Sequence, residues 1–256
     1  MTLKASLKKL LLLTGFISLG ATAQAAVTAQ SYNWDFTNSK AVIMGGTNHS
    51  GSFTTATEDI NGVSTTVLTA SSFAERGTNV FREILNASQN GEGMLTFSMD
   101  ISWGGNNSKE NIFHVARNGN GVSLGLVNGK LGLVNGNLNS VPENALSLTA
   151  NTWTSVTVSL LGSDVTITLT PTGSEESATY TSTLNTISWF TGSEDGGDTQ
   201  NEMYSLGHQA PGWNNNELNG TKLANLSVSY APIPEPTTAT LTVIALAGLV
   251  LRRRRA

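Results

Sequence analysis

GMLTFSMDISW, residues 93–103, alternates in character at every step: Leu95, Phe97, Met99, Ile101 and Trp103 fall on one side, Thr96, Ser98, Asp100 and Ser102 on the other. A period of two over this length is a strand with one apolar and one wet face. Two later segments repeat the pattern, Thr154 to Leu160 with Val156, Val158 and Leu160 on one face, and Val165 to Thr170 with Val165, Ile167 and Leu169. Leu161-Gly162-Ser163-Asp164 joins them, which predicts an antiparallel hairpin. Between these lies a small repeat, LGLVNGK followed by LGLVNGN, from Leu124 to Asn137. Each copy ends in Asn-Gly, a pair suited to positive φ in a tight turn, and the strands are expected to fold back at Asn128-Gly129. The region from Val27 to Ala231 is rich in Thr, Ser, Asn and Gly and shows no convincing helical period. Roughly a dozen short strands exceed an immunoglobulin domain and suit an all-β, two-sheet antiparallel jelly-roll sandwich.

The two ends read as packaging. Lys4, Lys8 and Lys9 precede an apolar stretch from Leu10 to Leu19 and then the small residues ATAQAA, the order of a secretory signal helix over residues 1–25, with cleavage after Ala23 or Ala25. The sandwich then occupies 26–231 and a tail 232–256. In that tail, Ala239 to Leu251 is apolar, shorter than the roughly twenty residues a comfortable transmembrane helix needs. Extended back to Thr237, it makes a short apolar helix over about 237–251. Arg252 to Arg255 would keep its C-terminus cytoplasmic and the main domain outside.

Removing both ends sharpens the charge. The chain has 14 basic and 18 acidic residues; taking away the three signal lysines and four tail arginines leaves 7 basic against 18 acidic, a net of −11 if Glu235 is retained. So acidic a domain offers no positive footprint for nucleic acid. There is no cysteine, so an exported domain must be held by its core.

Two resemblances follow. Pro234-Glu235-Pro236, the apolar run and Arg252, Arg253, Arg254 and Arg255 resemble the PEP-CTERM sorting signal of exopolysaccharide-producing Gram-negative bacteria, in the form common among Verrucomicrobia. The resemblance implies an exosortase-type sorting protease as partner, transient anchoring in the inner membrane, and display at the cell surface or in the extracellular matrix. An ordinary tail anchor is the alternative. The succession GMLTFSMDISW, NIFHVARNGNGVSLGLVNGKLGLV, LTANTWTSVTVSLLGSDVTITL and GTKLANLSVSYA is similar to the concanavalin A-like lectin/glucanase superfamily in its laminin G-like form. It implies a first strand carrying Trp34 and Phe36, and a last strand carrying Leu226, Val228 and Tyr230 that returns beside it.

Folds of this kind host glycanases, lectins and adhesion modules alike, so the chemistry must come from the residues. A retaining glycanase needs two carboxylates facing one cleft. No Glu-x-Asp-x-Glu run occurs, and Asp100 stands alone on its strand. His49, His114 and His208 are scattered without acidic neighbours and read as structural rather than as zinc ligands. Glu194, Asp195 and Asp198 in a glycine-rich stretch form either a calcium loop or a solvated surface loop. Sugars call for an aromatic platform beside amides and carboxylates. Trp213 with Asn214 and Asn215, and Trp103 followed by Gly104-Gly105-Asn106-Asn107, are the glycan-binding candidates, with Trp189 behind them; Trp153 is expected in the core. Thr166, Thr168 and Thr170 form one ridge, and ice recognition would need several such strands in register. The sequence reading is therefore an exported, non-catalytic protein that binds extracellular polysaccharide or builds matrix. A secreted glycan-active hydrolase is the rival, and an ice-binding or adhesion protein a third reading.

Overall fold

The computed structural model describes residues 27–34, 36, 49–50, 53–71, 73–76, 79–117, 120–135, 141–184, 203–206 and 218–233. The signal helix, the apolar C-terminal helix and the sorting motif lie outside these residues. Among those described, no helix is long and apolar enough to cross a membrane.

The alternating segments form strands of two antiparallel sheets. The larger, eight-stranded sheet runs β13 (Ala178–Thr183), β12 (Asp164–Pro171), β11 (Trp153–Leu161), β6 (Gly93–Ser102), β15 (Lys222–Pro232), β4 (Val63–Ser71), β3 (Phe53–Ile60), with β1 (Gln30–Trp34) also on β15. The smaller runs β10 (Leu146–Ser147), β9 (Lys130–Asn135), β8 (Asn120–Val127), β7 (Lys109–Arg117), β14 (Met203–Leu206), β5 (Phe73–Arg76), β2 (His49–Ser50). The first strand lies beside the last, with Trp34 opposite Leu226 and Tyr32 opposite Val228. Trp34 ends β1, while Phe36 lies just beyond it at φ 57°.

The predicted turns are in place. Asn128 and Gly129, at φ 52° and 77°, close the β8–β9 hairpin, and Gly162 at φ 60° closes β11–β12. Gly129 has a second duty: a Cβ there would come 2.5 Å from the Trp103 ring.

Between the sheets lies one continuous core, fed by Leu95, Phe97, Met99 and Ile101 from β6, Val156, Val158 and Leu160 from β11, and Val122, Leu124 and Leu126 from β8. Phe97 and Phe113 meet across it with ring centroids 4.9 Å apart. Trp34, Phe36 and Phe53 form a second aromatic group, with Trp34 4.6 Å from Phe36 and 5.8 Å from Phe53.

One element corrects the reading of the central region as free of helix: α1 (Asn79–Gln89). Val80, Phe81, Ile84 and Leu85 recur at the spacing of one helical face, but over only 11 residues, too few turns to stand out among strands. Ile84, Leu85 and Ala87 are buried in the core. The helix ends in a Schellman motif, with Gly91 at φ 77° and its N–H on Ser88 O at 3.0 Å, while the Glu92 N–H reaches Ala87 O at 2.9 Å. Ser88 Oγ donates to Leu160 O at 3.0 Å and the Gly162 N–H to Ser88 O at 2.8 Å, tying the helix end to the β11–β12 hairpin.

Candidate functional site

The wet face of β6 is where the structure assembles polar chemistry. Asp100 is the one carboxylate on this strand, and it is held by neighbouring side chains. Register places it between Ser155 on β11 and Ala224 on β15, and its carboxylate accepts Ser155 Oγ at 2.6 Å on Oδ1 and Asn225 Nδ2 at 2.7 Å on Oδ2. Asn225 reaches it because β15 carries a bulge between Ala224 and Ser227, where Asn225 sits at φ 51°. The extra residue re-aims the side chain that a regular strand would send elsewhere.

Trp153 joins this group rather than the core, correcting the expectation from its hairpin strand. Its neighbours in alternation, Thr154, Val156 and Val158, point inward and are buried, so Trp153 takes the opposite face with Ser155 and Thr157. There it is opposite Ser102, which is opposite Lys222 in turn. The indole is half-buried against Ile60, Val67 and Ala224, a small apolar cluster on the outside of the large sheet. Lys222 makes an ion pair with Glu58. The result is a partly exposed indole braced on one side, a carboxylate and an amide held at fixed angles one residue pair away, and an ion pair at the border. An indole face satisfies the apolar face of a pyranose, and preset acceptors and donors satisfy its hydroxyls. Both carboxylates are engaged, Asp100 by two donors and Glu58 by Lys222.

Of the sequence-predicted site residues, Trp103 is described. It is half-buried, packs on the main core and on Gly129, and its Nε1 is buried. The loop after it is tied down: Asn106 Nδ2 donates to Asn219 O, and buried Glu110 accepts the Asn219 N–H at 2.9 Å and faces Ser108 Oγ at 2.7 Å. Trp213, Asn214, Asn215 and Trp189, the calcium candidates Glu194, Asp195 and Asp198, the cleavage residues Ala23 and Ala25, and the sorting residues Pro234, Glu235, Pro236 and Arg252 to Arg255 lie outside the described residues. Among the described residues no group of three His, Asp or Glu is placed to hold a metal ion.

His114 is fully buried in β7, with Nδ1 2.5 Å from Ser123 Oγ on the neighbouring β8. Burial disfavours the imidazolium and lowers its pKa to about 4. A histidine lowered in the folded state contributes stability that is fully present above its unfolded pKa, about 6.5, and is lost as pH falls toward 4. Between pH 7 and pH 5 this one group should remove about 2 kcal/mol of unfolding free energy. Urea titrations at the two pH values check this, and His114→Gln should flatten that part of the dependence.

No protein-family model and no curated protein sequence matches the chain. In structure it is similar to a receptor binding domain, with 12% identity and TM-score 0.47 over 86% of this chain and 51% of that one. A structure of botulinum neurotoxin type C, reported with its interaction with two ganglioside molecules, gives 12% identity and TM-score 0.46 over 88% and 53%. Basic winged bean lectin with Tn-antigen gives 11% identity and TM-score 0.45 over 81% of this chain and 100% of the lectin. The chain thus spans about half the length of the first two.

Proposed function

We propose that the chain is an exported, non-catalytic domain that binds glycan through the outer face of its large sheet, at Trp153, Asp100, Asn225 and Ser155. The observation that carries this reading is the half-buried indole of Trp153 beside a carboxylate fixed by Ser155 and Asn225. The signal-like start and the Pro234-Glu235-Pro236 tail support a route through the inner membrane, release by an exosortase-type protease, and residence in extracellular polysaccharide. Calcium at Glu194, Asp195 and Asp198 belongs to the same proposal. A shift of the thermal midpoint on calcium addition supports it, and an unchanged midpoint with and without chelator counts against it.

The test is affinity electrophoresis of the full chain in native gels containing hydroxyethylcellulose, mixed-linkage β-glucan or alginate. Retardation in at least one gel, abolished by Trp153→Ala, is the expected result. Equal mobility in every gel would replace this function with a matrix-building one.

A further inference from the structure

Glu110 puts a carboxylate on the inner side of its sheet. In register it lies in line with Leu126 and Leu131, both core residues, and it is fully buried. Its oxygens meet neutral groups, Ser108 Oγ at 2.7 Å on Oε1 and the Asn219 N–H at 2.9 Å on Oε2, and among the described residues no cationic side chain pairs with it. A carboxylate taken this far from water is stable when it is paired or when it ligates a metal. The oxygens beside it are also one hydrogen short. Asn106, Ser108 and Glu110 turn in together, alternating with exposed Asn107 and Lys109. Ser108 Oγ lies 2.5 Å from Asn106 Oδ1 and 2.7 Å from Glu110 Oε1, and a hydroxyl has a single hydrogen for these two acceptors. Asn106 cannot flip its amide to supply the other, because its Nδ2 donates to Asn219 O.

A separate group points to the same place. Thr221 is fully buried, and its Oγ1 has no hydrogen-bond partner among the described residues. It keeps the inward parity of Leu223 and follows Asn219 by two residues. Between them Gly220 lies against the same loop, since a Cβ there would come 3.5 Å from Asn106 Nδ2, and a Cβ on Gly104 2.7 Å from Gly220 O. Thr221 Oγ1 thus enters the sandwich at the end where Glu110 does. We infer that Asn106 Oδ1, Ser108 Oγ, Glu110 Oε1 and Thr221 Oγ1 form a calcium site that clamps the β6–β7 loop to the entry of β15. Oxygen donors that include a carboxylate suit a hard cation, and water completes the six to eight ligands that calcium takes. The ion takes a lone pair from each oxygen, so the missing hydrogen is not needed, and it neutralises the buried charge. A single carboxylate sets a low affinity, on the order of 0.1–1 mM, the range of extracellular modules. This site is distinct from the Glu194, Asp195 and Asp198 stretch and does not rest on the glycan reading.

Thermal unfolding of the full chain carrying Asp195→Asn/Asp198→Asn tests it, a background in which that other stretch cannot supply the response. Relative to chelator, calcium chloride at about 10 mM is expected to raise the midpoint by roughly 3–10 °C. Magnesium chloride should raise it by about 1 °C or less, because magnesium demands near-octahedral ligands and sheds water reluctantly. Adding Glu110→Gln, which keeps the shape and removes the charge, should abolish the calcium response without lowering the midpoint in chelator. Thr221→Val removes only the unpartnered hydroxyl, so the midpoint in chelator should hold while at least about tenfold more calcium is needed for the same rise. An unchanged midpoint in calcium, a rise that survives Glu110→Gln, or an unaltered calcium dependence in Thr221→Val would overturn the site. An equal rise in magnesium would overturn its assignment to calcium.

Discussion

Phe97→Ala is expected to lower the unfolding free energy by about 3–5 kcal/mol, the range for deleting a buried aromatic ring. Phe97 is 4% exposed, lies in the central strand β6 and meets Phe113 of the opposite sheet at 4.9 Å. Its loss removes apolar area and one of the ring contacts that join the sheets, and neither sheet can move in to fill the gap without disturbing its own ladder. With no cysteine, the domain has no disulfide to add to the stability its core supplies. The whole stability of a domain is about 5–15 kcal/mol, so this one change consumes a large part of it. Urea denaturation should show a lower midpoint with an unchanged slope. A loss below about 1 kcal/mol would mean that the two sheets do not depend on this contact.

Trp153→Ala should weaken glycan binding by roughly 30-fold or more, the loss of at least about 2 kcal/mol seen when an interfacial aromatic anchor is truncated. The reason is packing. Trp153 is partly buried and packs against the cluster of Ile60, Val67 and Ala224, so the indole is held in place beforehand and binding requires little ordering of it. Asp100→Ala should cost about 10-fold to 100-fold through the lost charged hydrogen bond to a sugar hydroxyl. It also releases Ser155 and Asn225 from their present acceptor, so the amide at the bulge loses its aim. The Trp153 change also removes packing, so thermal midpoints must accompany the binding data. A folded Trp153→Ala chain with wild-type affinity would move the site elsewhere.

Much of the sandwich was legible because alternation in a strand is a local signal. The face assignments of β6, β11 and β12, the turns at Asn128-Gly129 and Gly162, and the pairing of the first strand with the last all follow from side chains within a few residues of each other or from the family-like order. Helix α1 was hidden by its brevity. The site was hidden for a different reason: its parts are distant in sequence, 55 residues from Asp100 to Ser155 and 125 to Asn225, and only strand register brings them together. Two signals were nonetheless present. Trp153 has the wrong parity to share the face of Val156, Val158 and Leu160, which places it outward. In β15 the core residues run Leu223, then Leu226, Val228 and Tyr230, and the odd step of three marks the bulge that aims Asn225.

The most direct test of the outer-face site is to follow the indole N–H resonances of the five tryptophans while cellohexaose is added to the full, isotopically labelled chain. Trp34 and Trp103 have buried Nε1 atoms and should stay fixed, while the Trp153 resonance should shift progressively and saturate. Binding that moves Trp213 and leaves Trp153 unchanged would contradict the account.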